Sequence, residues 1–182
     1  TYNFYLHCKS PVALGIYNYL CRNYWPVFKP ITDAFVSNNF DFIYLTSDMN
    51  DPGISYLPIS CKKFYIGKMD LAFHKMAFLE AKMVVATTPQ LNILGFKRSK
   101  KVKHYCYVSH APSDVHSNKL FAFDYYDSIL CGNSYHIKNL RELEKLRNSP
   151  KKILLETGCT YYDNYTCHED GIGEHVLIAP TW

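Results

Sequence analysis

The sequence has little of what marks several protein classes. It holds 8 glycines and 9 prolines in 182 residues, too few for collagen or a low-complexity stalk. Charged residues make up 20% and apolar residues 48%, a balance that excludes wholesale disorder. Lys and Arg number 20 against 16 Asp and Glu, an excess too small to argue for a nucleic-acid partner. We therefore expect a packed globular protein that binds no nucleic acid, with any basic function confined to one place.

The seven cysteines lack the spacings that indicate zinc sites or redox pairs. An odd, scattered set is typical of reduced thiols in a cytoplasmic protein. No window approaches the ~20 apolar residues that span a bilayer, and no export leader is recognisable. We expect a cytoplasmic protein that is at most peripheral on the inner face of the cell membrane. Because the chain starts at Thr1 and ends in a strand-like apolar run, we also expect it to be a fragment of a longer protein.

Short β-rich apolar runs alternate with segments of helical period. This is the pattern of an α/β domain with a largely parallel sheet. The predicted strands are residues 3–7, 41–46, 63–66, 83–87, 104–109, 128–131 and 152–157.

Three helices are predicted between these strands. The first covers residues 25–38, and Pro30 either begins it or kinks it. The second covers 68–79 and is apolar nearly all round, so we expect it to be covered on more than one side. The third begins at a cap near residue 134 and ends before the Ser-Pro pair at 149–150. Its inward-facing residues are predicted to be Ile137, Leu140, Leu143 and Leu146.

The reactive side chains concentrate in the loop 109–116, directly after the predicted strand 104–109. In open α/β sheets, ligands bind beyond the carboxyl ends of the strands. Imidazole accepts a proton near neutral pH, and a carboxylate such as Asp114 could orient it. His110 is the first candidate for a general base, with His116 and Asp114 beside it. The alternative, that both histidines only hydrogen-bond the loop backbone, stays open.

A metal site is a weaker interpretation of the same region. Imidazole and thiolate groups are zinc ligands, but their spacing here matches no ligand pattern, so we predict no metal. The residues concerned are His104, Cys106, His110 and His116.

Two glycine turns follow predicted strands. Gly132, Asn133 and Ser134 stand at a helix start, where unpaired N–H groups and the helix dipole could hold a phosphate. No Walker or dinucleotide-binding sequence accompanies them. Gly158 most simply permits a tight turn, and both turns could line a cleft.

Charged residues suggest two further interpretations. Residues 97–103 hold five cations in seven positions. Such a run is usually a solvated loop, and its functional alternative is attraction to an anionic polymer or to acidic lipid headgroups. Asp124 and Asp127 could form an acid and base pair, but we expect them to cap or brace the segment before the next strand.

Taken in order, several segments resemble the CDP-glycerol glycerophosphotransferases, the polymerases and primases of teichoic acids and related capsule polymers. The resemblance runs through Gly158 and Tyr162-Asp163 into residues 176–182. It covers residues 100–182 in sequence and the first 100 in the order of strands and helices. The segments are YVSHAPSDVH at 107–116, AFDYYDSILCG at 122–132 and YHIKNLRELE at 135–144.

The resemblance implies a GT-B fold, in which two Rossmann-like domains face each other across a cleft. Residues 1–165 would be the N-terminal, acceptor-side domain. Residues 166–182 would be the linker and first strand of a missing C-terminal nucleotide-binding domain. The implied reaction is attack by a hydroxyl of a polyol-phosphate or lipid-linked acceptor on the β-phosphorus of CDP-glycerol, releasing CMP. No cofactor is implied, and Mg²⁺ is not indicated.

The resemblance also assigns roles. His110 matches the family's N-terminal catalytic histidine, as base or as charge stabiliser, and His116 matches its second loop histidine. Ser109 and Ala111 flank His110 where one family branch has Trp-His-Gly, so the branch and the acceptor stay open. The fragment alone is not expected to turn over CDP-glycerol. The alternatives are a GT-B glycosyltransferase that uses a nucleotide sugar and a non-catalytic module that binds a polyanion.

Overall fold

The computed structural model describes residues 24–111, 115 and 118–164, together with the backbone of Leu14–Asn18. The predicted strand 3–7 and the predicted second-domain segment 166–182 lie outside these residues. The domain boundary between 165 and 166 therefore stays a prediction.

Within the part of the chain that the structure describes, seven strands form a single sheet in which every neighbouring pair is parallel. Their order across the sheet is β3-β2-β1-β4-β5-β6-β7, which extends the Rossmann order by one strand. The expected α/β, Rossmann-like fold with a largely parallel sheet is confirmed. The strands are β1 (Leu14–Asn18), β2 (Phe42–Thr46), β3 (Lys62–Tyr65), β4 (Ala81–Ala86), β5 (Val102–Val108), β6 (Ser128–Cys131) and β7 (Ile153–Glu156).

Helices cover both faces of the sheet, as expected, and each face has its own hydrophobic core. One core contains Ala72, Met76 and Leu140, and the other contains Trp25 and Phe28. Side chains alternate across each strand, so a strand contributes to both cores in turn. The helices are α1 (Trp25–Ser37), α2 (Pro52–Tyr56), α3 (Met69–Ala77), α4 (Ser134–Arg147) and a short 3₁₀ helix at Thr160–Asn164.

Helix α1 continues through Pro30, so the prediction that the helix could begin there is wrong. A proline has no N–H, and the carbonyl four residues earlier, that of Pro26, loses its helical donor. Asn164 Nδ2 donates to Pro26 O at 2.7 Å, and Thr160 Oγ1 donates to Val27 O at 2.8 Å. The 3₁₀ helix therefore supplies hydrogen bonds at the place where the proline removes one.

Two predictions about apolar helix faces are wrong. Helix α3 buries Ala72 and Met76 on one side, while Met69 and Leu71 are exposed. On α4, Leu146 is 84% exposed. Its four apolar residues are spaced three apart, and each step of three turns the helix about 60° short of a full turn. Leu146 consequently lies opposite Ile137, and the buried stripe passes through Leu140 and Glu144 instead.

Within the described residues, no helix combines the length and the hydrophobicity needed to cross a bilayer.

Candidate functional site

His110 lies two residues beyond the end of β5, at the carboxyl edge of the sheet. The neighbouring strand β4 ends at Ala86, directly before Thr87, and β4 in turn pairs with β1. Between β1 and β4 the strand order changes direction, which makes this edge the topological switch point where ligands bind in such folds. The candidate base therefore stands beside the expected ligand crevice.

The imidazole of His110 is held by two hydroxyl groups and an aromatic ring. Its Nδ1 lies 2.8 Å from Thr87 Oγ1 and 3.4 Å from Tyr107 Oη. The ring of Tyr24, from the segment before α1, packs edge-on with its centroid 4.7 Å away. These contacts fix the plane of the imidazole.

Burial controls the protonation of this group. It lowers the pKa of His110 below the ordinary 6.5, so the imidazole is neutral at pH 7. Burial, and secondarily the neighbouring Tyr24, raises the pKa of the Tyr107 phenol, which therefore keeps its proton. The imidazole of His110 and the phenol of Tyr107 are therefore both uncharged at neutral pH.

A cavity of about 430 Å³ opens beside His110. It has the size of a small-molecule site. Tyr24, Phe73 and Phe96 form its aromatic wall, and Lys119 brings a cation to it. Thr88 also lines the cavity, and its buried Oγ1 has no hydrogen-bond partner among the described residues. The cavity thus joins an apolar wall to polar groups.

Two predicted site residues, Asp114 and His116, lie outside the described residues, and their predicted roles stay predictions. Within the same loop, Ser109 Oγ donates to the carbonyl of Ala111 at 2.8 Å.

The predicted phosphate turn follows β6 at the same edge of the sheet. Asn133 Oδ1 accepts the backbone N–H of His136 at 2.9 Å, so the predicted cap is confirmed. The N–H of Gly132 donates to His136 Nδ1 at 3.3 Å. Ser134 is exposed. Two N–H groups of this helix start are therefore engaged within the protein, and phosphate binding there stays a prediction.

Gly158 lies one strand further along, directly after β7. Its φ is +75°, and an added Cβ would meet no atom within 4 Å. The left-handed backbone alone explains the glycine, and the tight turn itself stays a prediction. Whether this turn lines a ligand cleft stays a prediction.

Of the residues considered for zinc, His116 lies outside the described residues, and two of the other three have separate surroundings. His104 Nε2 pairs with Ser128 Oγ at 2.8 Å, and Cys106 is buried in the core under α1. Among the residues that the structure describes, no group of three or more His, Cys, Asp and Glu is placed to hold a metal ion.

The two aspartates brace the protein, as expected. Asp127 accepts from Arg98 Nη2 and from the backbone N–H of Tyr105, both at 2.7 Å. Asp124 pairs with Arg147 at 2.6 Å. Because Arg98 is held in this way, the basic run 97–103 has fewer available cations than its sequence indicated. Its exposed cations are Lys97, Lys100, Lys101 and Lys103.

Sequence reasoning missed the partners of His110. Thr87 is 23 positions away in the chain, and Tyr24 lies in a separate segment. The available signal was the position of Thr87 immediately after a buried strand adjacent to β5. Parallel neighbours end at the same edge, so residues that follow two adjacent strands are close together.

Comparison of the chain with models of protein families, with curated proteins and with solved structures finds no match. The resemblance to glycerophosphotransferases therefore stays a proposal.

Proposed function

We propose that this chain is the acceptor-side domain of a glycerophosphotransferase-like enzyme. Such an enzyme would transfer glycerol phosphate from CDP-glycerol to a hydroxyl of a polyol-phosphate or lipid-linked acceptor in teichoic acid or capsule synthesis. A second domain would bind the nucleotide. The segments in the second half of the chain that resemble the family, and their order along the sequence, support this proposal. The Rossmann-like fold is consistent with it.

The observation that carries the proposal is the position of His110. A neutral, partly buried imidazole stands at the carboxyl edge of a doubly wound sheet and lines a cavity large enough for a small ligand. The alternative is a purely structural histidine that only hydrogen-bonds its loop backbone. It is not favoured, since the described contacts of Nδ1 are with side-chain hydroxyls.

The cavity next to His110 would receive the acceptor alcohol. Two roles fit a neutral imidazole at that point. It could take the alcohol proton as the oxygen attacks the β-phosphorus, or it could donate a hydrogen bond to the phosphoryl oxygens on which charge develops. Lys119 could attract a phosphate of the acceptor or donor, and the exposed lysines of residues 97–103 could attract an anionic membrane surface.

The test is His110→Ala in the full-length protein, assayed for CMP release and glycerol phosphate transfer. We expect activity to fall by at least ~10²-fold, because either role contributes at least that much. His74→Ala is the matched control, since His74 is exposed on α3 and its described ring contact is with Phe78. A loss of tenfold or less would show that His110 takes no direct part in the reaction.

The donor is tested in the same assay. Activity with CDP-glycerol and none with UDP- or GDP-sugars supports the proposal. Transfer from a nucleotide sugar would instead make the protein a glycosyltransferase.

A further inference from the structure

We propose that neutral His110 carries its proton on Nε2 and presents an N–H, not a bare nitrogen, to the cavity. In the reaction of the proposed function, the residue would then be a hydrogen-bond donor to the transferring phosphoryl group and not the general base. The position of the proton follows from the structure alone, and only its chemical consequence rests on the proposed function.

The argument begins with two buried hydroxyl groups. Thr87 is 2% exposed and Tyr107 is 3% exposed. Among the described residues, both hydroxyls make their hydrogen bonds with Nδ1 of His110. Each hydroxyl has one proton to donate, whereas an imidazole nitrogen either donates or accepts. A buried O–H without an acceptor is costly, so the three atoms must share their protons consistently.

A bare Nδ1 can accept a proton from these hydroxyls, with Thr87 making the short contact and Tyr107 the longer one. With a proton on Nδ1, the nitrogen can no longer accept, and both hydroxyls lose the acceptor that the structure describes for them. At least one hydroxyl proton is then left buried without a partner, a penalty that favours the bare-Nδ1 tautomer by roughly tenfold or more.

The short contact also points to Thr87 as the direct donor to Nδ1. Its oxygen lies 2.8 Å away, within the ordinary range, whereas Tyr107 Oη lies 3.4 Å away. Thr87 is therefore a positioning residue that selects the tautomer, and Tyr107 supports it. Because the imidazole is neutral, a bare Nδ1 leaves the proton on Nε2.

The donor role changes where the alcohol proton goes. The acceptor oxygen bonds to the β-phosphorus of CDP-glycerol, and the bond from that phosphorus to the CMP oxygen breaks with its electron pair. The alcohol proton ends on the CMP phosphate, and His110 keeps its own proton throughout. Its N–H, fixed before the reaction, stabilises charge without reorganising.

The direct test is nitrogen NMR on the ¹⁵N-labelled chain at pH 7–8, where two-bond correlations show which ring nitrogen is protonated. The chain has 8 histidines, so the His110 signals are assigned by their absence in His110→Gln. We expect a bare Nδ1 and a protonated Nε2. A protonated Nδ1 would overturn the proposal.

Two variants of Thr87 separate tautomer selection from packing. Thr87→Val keeps the shape and removes the hydroxyl that makes the short contact. The contact that remains, from Tyr107 at 3.4 Å, is longer and holds a bare Nδ1 less strongly, so we expect the share of Nδ1–H to rise several-fold. Thr87→Ser keeps the hydroxyl and should restore the wild-type spectrum. Equal spectra for both variants would show that Thr87 does not select the tautomer. If the valine variant does not fold, Tyr107→Phe replaces it, and there we expect Nδ1 to stay bare because Thr87 still donates.

The kinetic test compares His110→Gln with His110→Ala in the full-length protein. A glutamine amide donates a hydrogen bond near the place of Nε2 but cannot act as a base. We expect the glutamine variant to retain at least tenfold more activity than the alanine variant. Equal losses would overturn the donor role. If wild type transfers neither glycerol phosphate nor a sugar, the proposed function fails, while the NMR result decides the tautomer independently.

Discussion

Two tyrosines of one strand, Tyr105 and Tyr107, place their hydroxyl groups in contrasting surroundings. Both side chains belong to the same core, and burial raises the pKa of each, to about 12 for Tyr105. The Tyr105 hydroxyl accepts the N–H of Ser99 at 2.9 Å, and the Arg98 guanidinium lies 4.9 Å from its ring centroid. The Tyr107 hydroxyl instead lies 3.4 Å from His110 Nδ1, next to the cavity.

The difference separates structural polar groups from candidate functional ones. At the amino edge of β5, Arg98 and Asp127 are charged and paired with each other, and the aspartate also holds a backbone N–H. At the carboxyl edge, the groups are neutral, and Nδ1 of His110 is engaged while the ring lines a cavity. The stabilising charges therefore lie at one end of the strand, and the hydrogen-bonding capacity for a ligand lies at the other.

The largest loss of stability is expected when the amino edge is broken. Asp127→Ala removes a charged acceptor from the N–H of Tyr105 and from Arg98, and it should lower the free energy of unfolding by about 2 kcal/mol. The ion pair itself adds little, because both side chains are about one third exposed. Urea denaturation measures the change.

Two controls accompany that variant. Asp127→Asn keeps an oxygen acceptor and should recover about half of the loss. Asp33→Ala removes an exposed pair with Lys29 on α1 and should cost no more than about 0.5 kcal/mol. If Asp127→Ala proved as mild as Asp33→Ala, the amino edge would not be the structural end of the strand.

The second comparison removes one hydroxyl at a time. Tyr105→Phe leaves the N–H of Ser99 buried without its acceptor, so we expect a loss of about 1.5 kcal/mol. Tyr107→Phe should cost about 0.5 kcal/mol, because the Thr87 hydroxyl can still donate to His110. Thermal unfolding of both variants under identical conditions gives the order. The reverse order would show that the carboxyl edge carries more stability than the amino edge.

Much of the fold was predictable, because it depends on local patterns. The strand Ser128–Cys131 has the predicted bounds, and five other described strands agree within two residues at each end. The strand Leu14–Asn18 was missed, since Gly15 interrupts a run of only five residues. The five-residue helix α2 was also not predicted.

The site was predictable only in part. The placement of His110 followed from its position after a strand, which is local information. Its environment depends on contacts between distant segments: the sequence places Thr87 and His110 directly after two strands but does not show that those strands are neighbours in the sheet. The exposure of Leu146 has a different, local cause. Residues spaced three apart drift around the helix, which repeats every 3.6 residues, and so they do not share one face.

Acid should destabilise the protein through two groups, the Glu144 carboxylate and the His110 imidazole. Burial raises the pKa of Glu144, but hydrogen bonds from the Lys152 N–H and from Arg141 outweigh this and leave the pKa below 4.5. Its contribution is therefore present above pH 4.5 and lost as the pH falls through the folded-state pKa. The pKa of His110 is also lowered, so the unfolded chain takes up a proton first, and stability begins to fall below pH 6.5.

Each of these two losses of stability is tested by a separate variant. His110→Gln should flatten the first decline, just below pH 6.5, and Glu144→Gln should flatten the second, below pH 4.5. Urea midpoints measured from about pH 2.5 to pH 8 resolve them. A wild-type midpoint that does not change between pH 7 and pH 5 would contradict the buried, neutral imidazole on which the carboxyl edge depends.

The smallest effect is expected away from both edges, where the 3₁₀ helix meets α1. Asn164→Ala removes the donor to the Pro26 carbonyl and should cost about 0.5–1 kcal/mol, since the bond is exposed. Asn38→Ala is the matched control, because Ala34 O keeps the backbone N–H of residue 38 when that side chain is removed. In a Pro30→Ala background, the new N–H of residue 30 can reach Pro26 O, so the cost of Asn164→Ala should shrink. An unchanged cost in that background would show that Asn164 stabilises α1 by packing and not by replacing the donor that proline lacks.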